Sequence, residues 1–141
     1  MNACVADASG NVVITGAFYG SINITTPYTS LGRRDVIIAK FAPNGTPLWS
    51  SRIGFQSVDT GLDLTTDVGG STVVVGIAGP HPNQRSAFIS RYTPGGTQQW
   101  IKYFASSPDS NASAQAVGVD LNKHILVAGQ FDGSINFGGA T

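Results

Sequence analysis

The chain repeats itself, and this internal repetition constrains its fold more than any other feature. The segment DASGNVVITG at 7–16 recurs in related form at 67–76 and 120–129, with Asp and the final Gly nine positions apart each time. A second segment, VIIAKFAPNGTPLW at 36–49, recurs as AFISRYTPGGTQQW at 87–100. Periods of this length place one supersecondary unit in each repeat, so the chain is predicted to consist of stacked, similar units.

Each segment consists of two short β-patterned runs around a turn. The runs VVIT, VIIA, TVVV and ILVA are typical of strands that are covered on both faces. Gly10 and the Asn44-Gly45 pair supply the positive φ that tight hairpin turns need. Four strands in about 50 residues is the period of a β-propeller blade. The predicted fold is all-β, with propeller-type blades of four antiparallel strands and about two and a half blades; a β-sandwich is the alternative architecture.

Composition and charge exclude several classes of protein. Only 11% of the residues are charged and 18 are Gly, which favours strands and turns. The formal net charge is zero, so the sequence offers no basic surface for nucleic acid or an anionic membrane. Its apolar runs are far shorter than the roughly 20 residues of a membrane-spanning helix, and its first residues do not have the pattern of a signal peptide. Cys4, the single cysteine, is predicted to be a buried strand residue without a disulfide partner in the chain.

The order of the motifs resembles the bacterial β-propeller repeat family called SBBP. The sequence runs DASGNVVITG, then FYGSIN, then DVIIAKFAPNGTPLW. The resemblance covers essentially the whole chain as a single repeat domain, 1–141. It divides the chain into one complete repeat, a second complete repeat and the first half of a third: 3–61, 62–113 and 114–141.

Two departures from the family pattern are present. The second repeat lacks the FxGSIN segment, which returns as FDGSIN at 131–136, and the third has Lys123-His124 where the first has Gly-Asn. The resemblance implies a secreted or cell-surface protein of bacteria or archaea. It implies no activity, catalytic residue or cofactor.

The loop that begins at Asp7 is the first candidate for a metal site. Asp7, Ser9 and Asn11 carry oxygen-bearing side chains at alternate positions, which is how a loop begins to enclose Ca²⁺. The equivalent loops at Asp67 and Asp120 have lost most of these ligands. Each Asp is therefore predicted to accept hydrogen bonds from the amides of its own turn.

The histidines and tryptophans are the remaining candidates. His81 and His124 have no Asp or Cys at ligand spacing and are predicted to be solvent-facing turn residues. Trp49 and Trp100 hold equivalent places in their repeats. Stacking on a sugar ring is one role for them, but packing between adjacent blades is favoured because large aromatic side chains bury the most area. The sequence thus predicts no metal, cofactor or catalytic residue.

Three functions are compatible with these observations. The first is a non-catalytic structural or interaction module whose variable connections, 19–34, 55–60, 79–85 and 106–113, lie on one face. The second is a carbohydrate-binding, lectin-like propeller that uses exposed aromatic and amide side chains, namely Tyr19, Tyr28, Asn83 and Gln84. The third is an enzyme with a central-channel site, which is disfavoured because the eight acidic and eight basic residues are spread thinly.

The third repeat stops after its second predicted strand. The run 124–131 is therefore expected to have an unpaired outer edge, and such an edge invites strand addition from a protein partner or from a second copy. The chain is interpreted as a segment of a longer propeller or surface protein.

Overall fold

The computed structural model describes residues 1–79, 85–104 and 111–137, and within these ranges the fold is all-β. The strands, in chain order, are β1 (Ala3–Ala6), β2 (Val12–Phe18), β3 (Ser21–Asn23), β4 (Pro27–Thr29), β5 (Asp35–Phe41), β6 (Pro47–Ile53), β7 (Thr60–Thr66), β8 (Thr72–Ala78), β9 (Ser86–Tyr92), β10 (Gln98–Phe104), β11 (Ala112–Val119) and β12 (Ile125–Phe131). The predicted fold class is confirmed.

The strands form two four-stranded antiparallel sheets and two hairpins. Sheet one has the order β1-β2-β5-β6 and sheet two the order β7-β8-β9-β10, while β11 pairs with β12 and β3 pairs with β4. The two sheets are copies of each other in register as well as in order. Lys40 lies opposite Trp49 in sheet one, and Arg91 lies opposite Trp100 in sheet two. The hairpin of β11 and β12, called the third hairpin below, matches the first two strands of each sheet.

The first turn of each repeat has the same backbone form. The Asp67 amide donates to the Ser71 carbonyl and the Gly70 amide donates to the Asp67 carbonyl, and the turns at Asp7 and Asp120 have the same two bonds. Gly70 has a φ of 79°, a left-handed conformation that costs glycine little. Lys123 holds the equivalent position in the third hairpin with a φ of 67°. Its side chain therefore carries a conformational cost that glycine would not.

Lys123→Gly is expected to stabilise the third hairpin by about 1 kcal/mol, because glycine adopts the left-handed conformation without the Cβ clash. Hydrogen exchange of the β11 and β12 amides measures this directly. The control is Lys102→Gly, in the exposed part of β10, and this substitution should destabilise sheet two. Faster exchange in the Lys123→Gly hairpin would contradict the expectation.

Sheet two is covered on both faces. Val74, Phe88 and Tyr92 pack against residues of sheet one such as Val36 and Ile38. On the opposite face, residues of sheet two contact the third hairpin in a smaller cluster that includes Val75, Ala87, Ala112 and Ala114. Burial on both faces explains the nearly continuous apolar runs of β8 and β9.

The sheets succeed one another in a repeated way. The first strand of sheet two, β7, contacts β1, β2 and β5 of sheet one, and the first strand of the third hairpin, β11, contacts β7, β8 and β9 of sheet two. The first strand of each unit thus packs against the unit before it. The small Gly61 makes this approach possible, because a Cβ there would lie 2.1 Å from Thr15 Oγ1.

The hairpin of β3 and β4 accounts for the longer connection in the first repeat. It lies against β6, where the Tyr28 hydroxyl donates to the Ser50 carbonyl at 2.8 Å and Arg52 Nη1 donates to the Thr29 carbonyl at 2.6 Å. FYGSIN spans the last residue of β2, the connection at Tyr19 and Gly20, and the strand β3.

The predicted burial of Cys4 is wrong, because its side chain is exposed. Alternate residues of a strand point to opposite faces. Ala3 and Val5 pack against the core between the sheets, so Cys4 lies on the other face of β1.

Candidate functional site

The three turn carboxylates bind amides of their own turns, as predicted. Asp7 Oδ1 accepts from the Ser9 and Asn11 amides at 2.9 and 3.0 Å. Asp67 Oδ1 accepts from the Gly69 and Ser71 amides in the same way. Asp120 Oδ1 accepts from the His124 amide at 2.8 Å.

A basic residue from the third strand of each sheet completes this arrangement. Lys40 Nζ lies 2.8 Å from Asp7 Oδ2, and both side chains are almost fully buried. Arg91 Nη2 lies 2.5 Å from Asp67 Oδ2 in the equivalent place. The Lys40 ammonium is the main reason why the pKa of Asp7 falls well below its usual range. The Lys40 ammonium thus occupies the place beside Asp7 where the sequence suggested a candidate calcium site.

Sequence reasoning matched Lys40 with Arg91 and Asp7 with Asp67 as equivalent residues but did not join the two sets. The signal was available, because an acid at the first turn and a base on the third strand recur together in both complete repeats. The third hairpin contains the acid, but the described part of the chain has no third strand beside it. There, the carboxylate binds its own turn, and His124 Nδ1 lies 2.8 Å from Asp120 Oδ2.

His124 is exposed, as predicted, with a side-chain accessibility of 75%. The His124 amide and ring lower the pKa of Asp120. His81 lies outside the described residues. Among the residues that the structure describes, no group of three or more His, Cys, Asp or Glu is placed to hold a metal ion.

The connections that the sequence grouped on one face are neighbours in the described ranges. The Arg34 segment runs parallel to the Val58 segment, and the Arg85 segment runs parallel to that of Asn111. This face contains the buried Asp59, which sequence reasoning did not single out. Asp59 accepts from the Phe55 amide at 2.6 Å and from the amide of Gly79 at 3.2 Å. Burial is the main cause that raises the pKa of Asp59.

Asp59 therefore holds two connections together. Its Oδ1 also accepts from the Ser57 hydroxyl, which contacts the Gly79 carbonyl as well. Asp35, at the start of β5, is equally buried and accepts from the Leu31 amide at 3.1 Å. Asp35 thus binds an amide of its own connection, whereas Asp59 binds amides of two connections.

The residues proposed for carbohydrate binding are in different environments. Tyr19 is 77% exposed, whereas Tyr28 is half-buried and its hydroxyl is bound to the Ser50 carbonyl. Asn83 and Gln84 lie outside the described residues. Of the two described residues, only Tyr19 has a side chain that is largely exposed to solvent.

Trp49 packs between the sheets, as predicted. It is 8% exposed, and its ring stacks on Tyr92 of sheet two with centroids 5.8 Å apart. Its Nε1 donates to the Pro94 carbonyl at 3.0 Å. This contact leaves no open face for stacking on a sugar.

The predicted burial of Trp100 is wrong, because its side chain is only half-buried. The residue is equivalent to Trp49 by register. The third hairpin, however, has no strand equivalent to β9 within the described residues, so Trp100 has no counterpart of Tyr92 to stack on.

The same missing strand leaves an apolar groove of about 540 Å³ beside the third hairpin. Sheet two contributes Ala87, Ile89 and Phe104 to one wall, and β12 contributes side chains that include Val127 and Phe131 to the other. Phe137 also lines the groove, and its ring contacts those of Phe104 and Phe131 and covers part of it. Val127 is 40% exposed and Phe131 is 48% exposed.

The outer edge of β12 borders this groove. Within the described part of the chain, β12 pairs only with β11, as the sequence predicted for this run. The edge presents unpaired backbone amides and carbonyls next to apolar side chains, and this combination is typical of strand-accepting surfaces. The groove and the edge together form the candidate functional site.

Comparison of the chain with protein-family models found no match, and a search of curated proteins found none either. In the described ranges no helix is long and apolar enough to cross a membrane.

Proposed function

We propose that the chain is a non-catalytic interaction module of a secreted or cell-surface protein, built from β-propeller repeats of the SBBP type. The motif order supports the family, and the regular packing of each first strand on the preceding sheet supports the propeller arrangement. The resemblance also supports the compartment.

One observation carries the proposed function: on β12, a strand edge that no other described strand pairs with lies beside a partly open apolar groove. The module binds protein by adding a strand to this edge, with side chains of the incoming strand in the groove. Backbone hydrogen bonds supply affinity in this mode, and the groove supplies specificity. In the absence of another partner, a second copy of the chain binds the same edge.

The isolated chain is therefore expected to self-associate, with an average mass that rises with concentration in light scattering. Val127→Lys should keep it monomeric, because a lysine on the groove side of an edge strand blocks pairing. Val68→Lys is the matched control, since Val68 is an exposed turn residue away from β12, and it should associate like the parent chain.

Hydrogen exchange identifies the surface involved. The β12 amides should become slower to exchange as the parent chain associates, and they should not change in Val127→Lys. A parent chain that stays monomeric at high concentration, with β12 already protected, would contradict the proposal.

A further inference from the structure

Within the described residues, no strand pairs with the outer edge of the third hairpin, although the two equivalent strands have such a partner. In sheet one, β5 pairs with the outer edge of β2; in sheet two, β9 pairs with β8. By register, β12 is the counterpart of β2 and β8. The two complete sheets therefore specify what a strand on the β12 edge has to present.

The first requirement for a strand that pairs with the β12 edge is a bulky apolar side chain. Phe88 lies opposite Gly76 in sheet two, and Ile37 lies opposite Gly16 in sheet one. A Cβ on Gly76 would lie 2.1 Å from the Thr60 carbonyl oxygen and 2.9 Å from the Phe88 ring, so the glycine admits both the adjacent strand and the large side chain opposite. Gly129 is the equivalent residue of β12 and lines the groove.

An aromatic side chain follows four residues later. Tyr92 lies opposite Thr72 and stacks on Trp49 of the preceding sheet. The equivalent position on the edge is opposite Ile125, which also lines the groove. Because strand residues alternate between faces, Trp100 is on the same face of β10 as the groove-lining Phe104. An aromatic residue opposite Ile125 is thus placed to stack on Trp100.

A basic residue directly precedes that aromatic residue. Lys40, opposite Val13, and Arg91, opposite Val73, bind the turn carboxylates of their own sheets. On β12 the equivalent position is opposite Leu126, and the carboxylate is that of Asp120. Asp7 Oδ2 accepts from Asn11 Nδ2 at 2.9 Å and also binds Lys40, so the His124 contact at Asp120 leaves room for a basic side chain.

We propose that the β12 edge binds an antiparallel extended segment with a bulky apolar residue, two residues of any type, then Lys or Arg, then an aromatic residue. The apolar side chain enters the groove beside Gly129, the aromatic side chain lies opposite Ile125 and stacks on Trp100, and the basic side chain pairs with Asp120. This inference rests on the proposed function, since it specifies the partner of the same edge.

A peptide of residues 86–104 with Trp100→Phe is a suitable probe, because it contains FISRY and leaves the tryptophan signal to the protein. Added to dilute full-length chain, it should change the fluorescence of Trp100, and the signal should be lost in a Trp100→Phe chain. The same peptide with Arg91→Glu should bind about fivefold more weakly, since it places two negative charges together at a partly exposed site.

Asp120→Asn in the protein tests the pairing. Asparagine keeps an oxygen for the turn amides. If the charge of Asp120 causes the preference for the Arg91 peptide, the Arg91 and Glu peptides should bind the Asp120→Asn chain with about equal affinity. Asp132→Asn, an exposed acid outside the turn, is the matched control and should leave the preference unchanged.

The outcomes separate this inference from the proposed function. Equal binding of the Arg91 and Glu peptides to the parent chain would overturn the proposed register, although strand addition would stand. If the peptide does not bind but Val127→Lys still abolishes self-association of the chain, only the proposed sequence pattern of the partner is overturned. Absence of both would overturn the function as well.

Discussion

Trp49→Ala is expected to lower the free energy of unfolding by about 3–5 kcal/mol, the range for removing a large aromatic side chain from a core. The indole stacks on Tyr92 and donates to the Pro94 carbonyl, so both contacts between the two sheets are lost. The surroundings have little freedom to close the cavity, because it is bounded by strands of both sheets. Urea unfolding followed by circular dichroism measures the loss.

Trp100→Ala is the matched control, since it removes the same side chain from the equivalent position of sheet two. Its cost should be roughly 1 kcal/mol, because a half-buried side chain loses less apolar burial. Equal costs at the two positions would contradict the structure, since Trp49 would then gain nothing from its contact with sheet two.

Lys40→Met is expected to cost about 3 kcal/mol at neutral pH, because it leaves the buried Asp7 carboxylate without its cation. Both side chains of the pair are nearly inaccessible to solvent, and methionine offers the carboxylate no compensating charge. Lys102→Met removes an exposed lysine of β10 and should change stability by less than about 0.5 kcal/mol.

The pH dependence of Lys40→Met provides a second test. The folded state holds the pKa of Asp7 below its ordinary value, chiefly through Lys40. The stability that this provides is present above the ordinary pKa, at about pH 4, and is lost as the pH falls toward the folded-state pKa. Without Lys40 the folded-state pKa rises, so the difference in stability between parent and variant should narrow below about pH 4. A constant difference down to pH 2 would exclude the ion pair as the cause.

Much of the fold could be predicted because the same strand and turn signals recur in each repeat. Four-stranded antiparallel sheets follow from paired turn signals, and the place of Trp49 follows from its recurrence as Trp100. The same reasoning was wrong for Trp100, since equivalence in sequence does not supply the neighbour that buries a side chain. Burial depends on the next sheet, and the third hairpin has only two strands.

The candidate site was partly predictable. The unpaired edge at β12 follows from counting strands in the third repeat. The groove could not be derived in this way, because its walls come from β9, β10 and β12, and only packing brings them together. The Cys4 prediction failed for a similar reason: alternation in a four-residue strand gives two faces but does not say which one the core covers.

The packing of each first strand on the preceding sheet has a consequence for the order of folding. Each sheet forms from hairpins that are local in sequence, and such local contacts form quickly. The contact of β7 with β1 joins residues far apart in the chain, so docking of sheets is the slower step. During synthesis on the ribosome, sheet one would emerge with Trp49 exposed, and this side chain would stay exposed until Tyr92 and Pro94 had been synthesised. Until then it exposes an apolar face that chaperones recognise, and a synthesis pause between the two sheets would prolong this exposure.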